Sequence, residues 1–127
     1  MPNPPVIAVV DDDEGMRLAL FELLQVLTLS CLTFDGPEAF LAAYVPGAFD
    51  CLITDIHMPG MSGLELQQHL RSLGSTIPVI VVTSSTDPAS RSCALNDGAV
   101  AYLRKPVDDE TLIRHLKVAL GPDFIGS

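Results

Sequence analysis

Val6-Ile7-Ala8-Val9-Val10-Asp11-Asp12-Asp13 sets a run of five apolar residues, four of them β-branched, directly against three aspartates. Apolar at every position and not at alternate ones, the run reads as a strand covered on both faces. Immediately after it, Leu20, Leu23, Leu24 and Leu27 recur at i, i+3, i+4 and i+7, the stripe of a helix whose first turn uses Asp13 as cap and Glu14 against the dipole. Strand gives way to helix.

The alternation continues to the end of the chain. Cys31-Leu32-Thr33-Phe34 is a short strand, and Asp35-Gly36-Pro37-Glu38 opens a helix that runs to about Tyr44 before Pro46-Gly47 breaks it. Cys51-Leu52-Ile53-Thr54 is the third strand. Ser62-Gly63-Leu64-Glu65 has capping-box spacing, with Leu66, Leu70 and Leu73 as the buried stripe behind it and Gly74 as the stop. Pro78 through Thr83 is the fourth strand. Asp87-Pro88 starts a helix that Gly98 ends, Ala99 to Leu103 make the fifth strand, and Asp108 leads a last helix carrying Leu112, Ile113, Leu116 and Leu120 to Gly121-Pro122. Five such repeats imply an α/β fold: a doubly wound five-stranded parallel sheet with five helices on its two faces, because right-handed crossovers place them there. Order 2-1-3-4-5 suits five strands and puts the ligand crevice beyond the carboxyl ends of strands one and three.

The 127 residues allow one core, and a hydrophobic fraction of 48% with 18% charged is globular composition. A single domain over 1–127 is expected, with no second domain. Sixteen acidic against seven basic residues give a net charge of −9, which repels a phosphate backbone and speaks against direct nucleic-acid binding. Cys31, Cys51 and Cys93 lie in apolar runs without metal-like spacing, as small buried thiols in a reduced compartment do. His69 and His115 stand alone on helices and read as solvated or capping residues. No stretch approaches the roughly 20 apolar residues that span a bilayer, and Met1-Pro2-Asn3-Pro4-Pro5 has no leader pattern. The expectation is a cytoplasmic domain with no membrane contact.

The polar residues that follow the strands carry the chemistry. Strand one ends in Asp11 and Asp12, strand three in Asp55, strand four in Thr83, and Lys105 follows strand five, so one edge of the sheet gathers three carboxylates, a hydroxyl and an ammonium. Two carboxylates about 4 Å apart repel by roughly 4 kcal/mol at an effective dielectric of 20, so the cluster must take up protons or a cation. Oxygen-only donors with room for water suit Mg²⁺. A carboxylate beside Mg²⁺ and an ammonium is arranged to receive a phosphoryl group, with Asp55 as the in-line nucleophile.

Val10-Asp11-Asp12-Asp13, Thr54-Asp55-Ile56-His57-Met58-Pro59-Gly60-Met61-Ser62-Gly63, Val82-Thr83-Ser84 and Arg104-Lys105-Pro106 resemble the motifs of bacterial two-component response-regulator receiver domains, which have the flavodoxin-like fold of the chemotaxis regulators. The likeness runs from Val6 to Leu120. It implies that a sensor histidine kinase phosphorylates Asp55 and that Asp11, Asp12, Asp55 and the backbone carbonyl of His57 hold Mg²⁺. Thr83, the Ser84 amide and Lys105 would bind the phosphoryl oxygens. Thr83 and Tyr102 would form the switch that alters the surface from Asp87 through Leu120, where an output domain, a partner protein or a second copy in a phosphorylation-dependent homodimer would dock. The resemblance further suggests a cis Lys105-Pro106 peptide. Asp35-Gly36-Pro37-Glu38-Ala39-Phe40-Leu41 is similar to the second helix of the nitrogen-fixation type of regulator. Such a domain is a self-acting phosphoacceptor and not a turnover enzyme. The His57 side chain, two residues past Asp55, would hang over the pocket mouth and influence how water reaches an acyl phosphate.

Three other readings stand beside this one. An Mg²⁺-dependent aspartyl phosphohydrolase would want a second acid two positions after the nucleophile, where this chain has His57, and more length for a cap. A flavin carrier would want hydroxyls and amides after strand one, where this chain has aspartates. A receiver-like interaction module that works without phosphorylation is compatible with every residue named.

Overall fold

The opening apolar run forms β1 (Val6–Val10), paired in parallel with β2 (Ser30–Phe34) on one side and β3 (Cys51–Thr54) on the other. Beyond β3 lie β4 (Val79–Thr83) and β5 (Ala101–Arg104), so the sheet has the order β2-β1-β3-β4-β5 anticipated above. The crossovers are α1 (Glu14–Val26), α2 (Pro37–Ala43), α3 (Gly63–Ser72) and α4 (Pro88–Asn96), and α5 (Asp109–Leu120) follows the last strand. This computed structural model describes residues 4–121; the stop at Pro122 and the residues of both termini lie outside it.

Alternation of side chains along the strands sorts two cores onto the two faces. Ile7 and Val9 of β1 pack with Ile53, Ile80 and Val82 under Leu20 and Leu24 of α1 and Leu112 and Leu116 of α5. Ala8 and Val10 point the other way, with Leu52 and Val81, under Phe40 of α2, Leu66 and Leu70 of α3 and Ala94 of α4. Burying a Leu, Ile or Phe side chain contributes roughly 1.5–3 kcal/mol, so these two layers hold the sheet and therefore the positions of its strand ends.

Local capping sets the helix starts. Asp13 accepts from the Gly15 and Met16 N–H groups, Asp87 from Ala89 and Asp108 from Thr111, while Ser62 and Glu65 close a reciprocal capping box. Two sequence expectations need correction. Leu73 is not part of the buried stripe: α3 ends at Ser72, and Leu73 is its C-cap, 56% exposed, in the turn that returns the chain to β4. The fifth strand begins at Ala101 and not at Ala99, because the Ala99 N–H bonds the Ala94 carbonyl at the end of α4 instead of the ladder. β2 is an edge strand, and Leu32 on it is 52% exposed.

Candidate functional site

Register brings the first two acids together. Val10 pairs with Thr54, so Asp11 and Asp55 leave the sheet side by side, and the Asp55 N–H donates to the Val10 carbonyl at 3.1 Å. On the far side Thr83 pairs with Arg104, and the Lys105 N–H donates to the Thr83 carbonyl at 2.9 Å. From there Lys105 reaches back across the edge. Its Nζ donates to Asp11 Oδ2 at 2.9 Å and to Asp55 Oδ2 at 3.0 Å. The Lys105–Pro106 peptide is cis, as anticipated.

The remaining carboxylate oxygens are also organised. Asp11 Oδ1 accepts from the Asp13 N–H at 2.9 Å, and Asp55 Oδ1 accepts from the Ile56 N–H at 2.6 Å. Asp11 and Asp55 are buried, Asp12 is exposed, and one oxygen of each of the three lies within 4.8 Å of the others. Outside them a cavity of about 360 Å³ is lined by Asp12, Ile56, His57, Met58 and neighbouring residues of the β3–α3 loop. Beneath that loop Gly63 is obligatory: a Cβ there would stand 1.9 Å from the Asp55 carbonyl oxygen. Gly60, at φ +82°, makes the turn itself.

Crowding and burial decide the electrostatics. Burial pushes the Asp11 carboxyl above its usual range, the nearby Asp55 charge adds to that, and the Asp13 N–H and Lys105 offset only part of it. For Lys105 burial alone would favour the neutral amine, but hydrogen bonds to Asp11 and Asp55 and their charges outweigh it and hold its pKa above the ordinary value. Three carboxylates against one ammonium leave two negative charges on hard oxygen donors, a charge and donor set that fits one divalent cation.

The other anticipated residues take different places. Thr83 is fully buried at the end of β4, and its hydroxyl accepts from the Ser85 N–H at 3.2 Å instead of meeting the carboxylates. Ser84 is exposed beside it, and the exposed His57 lines the mouth of the cavity. Tyr102 stands apart from the acid cluster. It is buried in the core under α3 and α4, and its hydroxyl finds no partner among the described residues. Two contacts escaped the sequence reading: the Ser85 N–H on Thr83, and Arg17, whose guanidinium donates to the Asp11 carbonyl at 2.7 Å. Arg17 had a signal, being the sole Lys or Arg in the first 70 residues and close behind an acidic run. The cysteines are free thiols, and burial raises Cys31 to about 11 and Cys51 to about 12.

Residues 7–117 match the response regulator receiver domain family. The chain belongs to that family. This receiver domain is 38% identical over 121 residues to the transcriptional regulatory protein FixJ of Azorhizobium caulinodans, covering 95% of this chain and 57% of that protein. Among solved structures it resembles the response regulator StyR, with a TM-score of 0.87 at 34% identity, covering 94% of this chain and 61% of the other. It also resembles the chemotaxis protein CheY4 of Vibrio cholerae, with a TM-score of 0.83 at 28% identity over 91% and 98%. The chain spans little more than half the length of the first curated relatives it matches. The likeness to FixJ supports the nitrogen-fixation type, and receiver domains are signalling domains. No helix among the described residues is long and apolar enough to cross a membrane.

Proposed function

We propose that this receiver domain, acting as one unit over 1–127, accepts a phosphoryl group on Asp55 from a sensor histidine kinase in the cytoplasm. The observation that carries the reading is the Lys105 ammonium bridging Asp11 and Asp55 at 2.9 and 3.0 Å, with an Asp12 oxygen in the same cluster. Asp11, Asp12, Asp55 and the His57 carbonyl would hold Mg²⁺, which when bound supplies positive charge against the phosphoryl oxygens. The chain's own groups do the rest. An Asp55 carboxylate oxygen attacks phosphorus, the bond from phosphorus to the donor's imidazole nitrogen breaks, and that ring leaves with the electron pair and takes a proton. Lys105, the Thr83 hydroxyl and the Ser84 amide receive the transferred oxygens.

In this proposal Thr83 and Tyr102 carry the signal. Drawing the Thr83 hydroxyl toward a phosphoryl group releases it from the Ser85 N–H and changes the room available to the Tyr102 ring. The surface of α4, β5 and α5 then changes for an output domain, a partner protein or a second phosphorylated copy. A net charge of −9 supports leaving nucleic-acid contact to such an output. The His57 imidazole at the cavity mouth would set the phosphorylated lifetime, read as a changed decay rate in His57→Ala; identical decay removes that role.

The test is incubation of the purified chain with a small phosphodonor such as acetyl phosphate. One phosphoryl group per chain is expected with Mg²⁺, none with a chelator and none in Asp55→Asn. A label that persists in Asp55→Asn contradicts the assignment. Steady release of phosphate from monoesters, many turnovers per chain, would contradict the reading of a phosphoacceptor that turns over no external substrate.

A further inference from the structure

We propose that Arg17 is a positioning residue for the cation site, acting through the backbone on Asp12; the inference rests on the Mg²⁺ reading above. Asp12 is the exposed member of the three acids, and among the described residues no protein donor holds its carboxylate. Its place is set by the two peptide groups that flank it. The carbonyl on its N-terminal side, that of Asp11, accepts from Arg17 Nη1 at 2.7 Å. The N–H on its C-terminal side, that of Asp13, donates to Asp11 Oδ1 at 2.9 Å. Asp12 is therefore slung between two pinned peptides, and Arg17 supplies one of the two pins.

The helix makes that reach dependable. The Arg17 N–H bonds the Asp13 carbonyl at 3.0 Å, so its Cα sits one turn above the cap, and the half-buried side chain runs back toward the β1–α1 turn. Charge and position here give opposite signs. As a cation near the cluster, Arg17 by charge alone weakens binding of another cation, so removing it should tighten Mg²⁺. As a pin on Asp12, its removal should loosen Mg²⁺, because groups that orient metal ligands without touching the metal typically carry about 10–100-fold in affinity.

Titrating the full chain with Mg²⁺ while following backbone amide shifts separates these. Arg17→Met is expected to raise the Mg²⁺ Kd about tenfold, and in EDTA to increase the fast motion of the Asp12 and Asp13 amides. In an Asp12→Asn background the same substitution should have little further effect, since the two act as one unit. An Arg17→Met Kd equal to or below that of the unaltered chain overturns the proposal, as does a full, additive loss in the Asp12→Asn background. Absence of any saturable Mg²⁺ response in the unaltered chain would instead strike the metal reading itself, with Arg17 falling along with it.

Discussion

The Asp11 carboxyl sits 2% exposed beside Asp55, and burial holds its pKa above the usual carboxylate range even with Lys105 attached. A raised folded-state pKa means that the folded chain binds this proton more tightly than the unfolded chain. In cation-free solution the group therefore favours folding in acid, and that contribution is lost as pH rises from the ordinary carboxylate pKa of about 3.9 through the higher folded value. Lys105 has a consequence of the same sign in a more alkaline window: its raised pKa contributes stability that is present below its ordinary value and lost as pH rises through the folded one. Asp11→Asn should raise the thermal midpoint in EDTA by a few degrees at pH 7 and abolish stabilisation by Mg²⁺, both read from unfolding curves with and without the ion. A lower midpoint in EDTA would show that the ion pair with Lys105 outweighs the cost of burial. Thr28 is a second residue under constraint, a β-branched residue at φ 61° in the turn between α1 and β2. Left-handed backbone costs such a residue roughly 1–2 kcal/mol, partly offset by the chain entropy that glycine loses on folding, so Thr28→Gly should stabilise by about 0.5–1 kcal/mol in denaturant unfolding.

At the scale of elements, the joint between β3 and α3 is the tightest point. The Gly63 N–H donates to the Ile56 carbonyl at 2.8 Å, which draws the start of α3 onto the strand end that carries Asp55. Gly63→Ala should cost about 3 kcal/mol, because the added methyl would drive α3 away from backbone that cannot yield. Phosphorylation should fall with it, measured as label per folded chain. Helix starts were legible because capping is local: Asp13, Ser62 with Glu65, Asp87 and Asp108 sit where the spacing predicts. Leu73 and Ala99 were not, because their environments depend on where a helix meets the end of the sheet. Leu73 keeps the helical spacing of a buried stripe, yet the turn back to β4 leaves it in solvent.

For the whole molecule, the parallel sheet does most of the functional work by delivering the ends of β1 and β3 side by side and placing β5 where Lys105 reaches back to both. That convergence was legible in the sequence because reactive side chains cluster where apolar strands stop, and Asp11, Asp12, Asp55 and Lys105 do meet there. Arg17 and Ser85 were not legible in the same way, since each acts through a backbone group, Arg17 on a carbonyl and Ser85 by its own N–H. The place of Tyr102, buried with an unpartnered hydroxyl between the sheet and α3–α4, likewise depends on packing that residue type does not reveal. The measurement that bears most directly on the account is identification of the modified residue after phosphorylation with Mg²⁺ and acetyl phosphate, by chemical trapping of the acyl phosphate and fragmentation of the peptide. The label is expected on Asp55 alone. A label on Asp11, Asp12 or His57, with Asp55 unmodified, would contradict it.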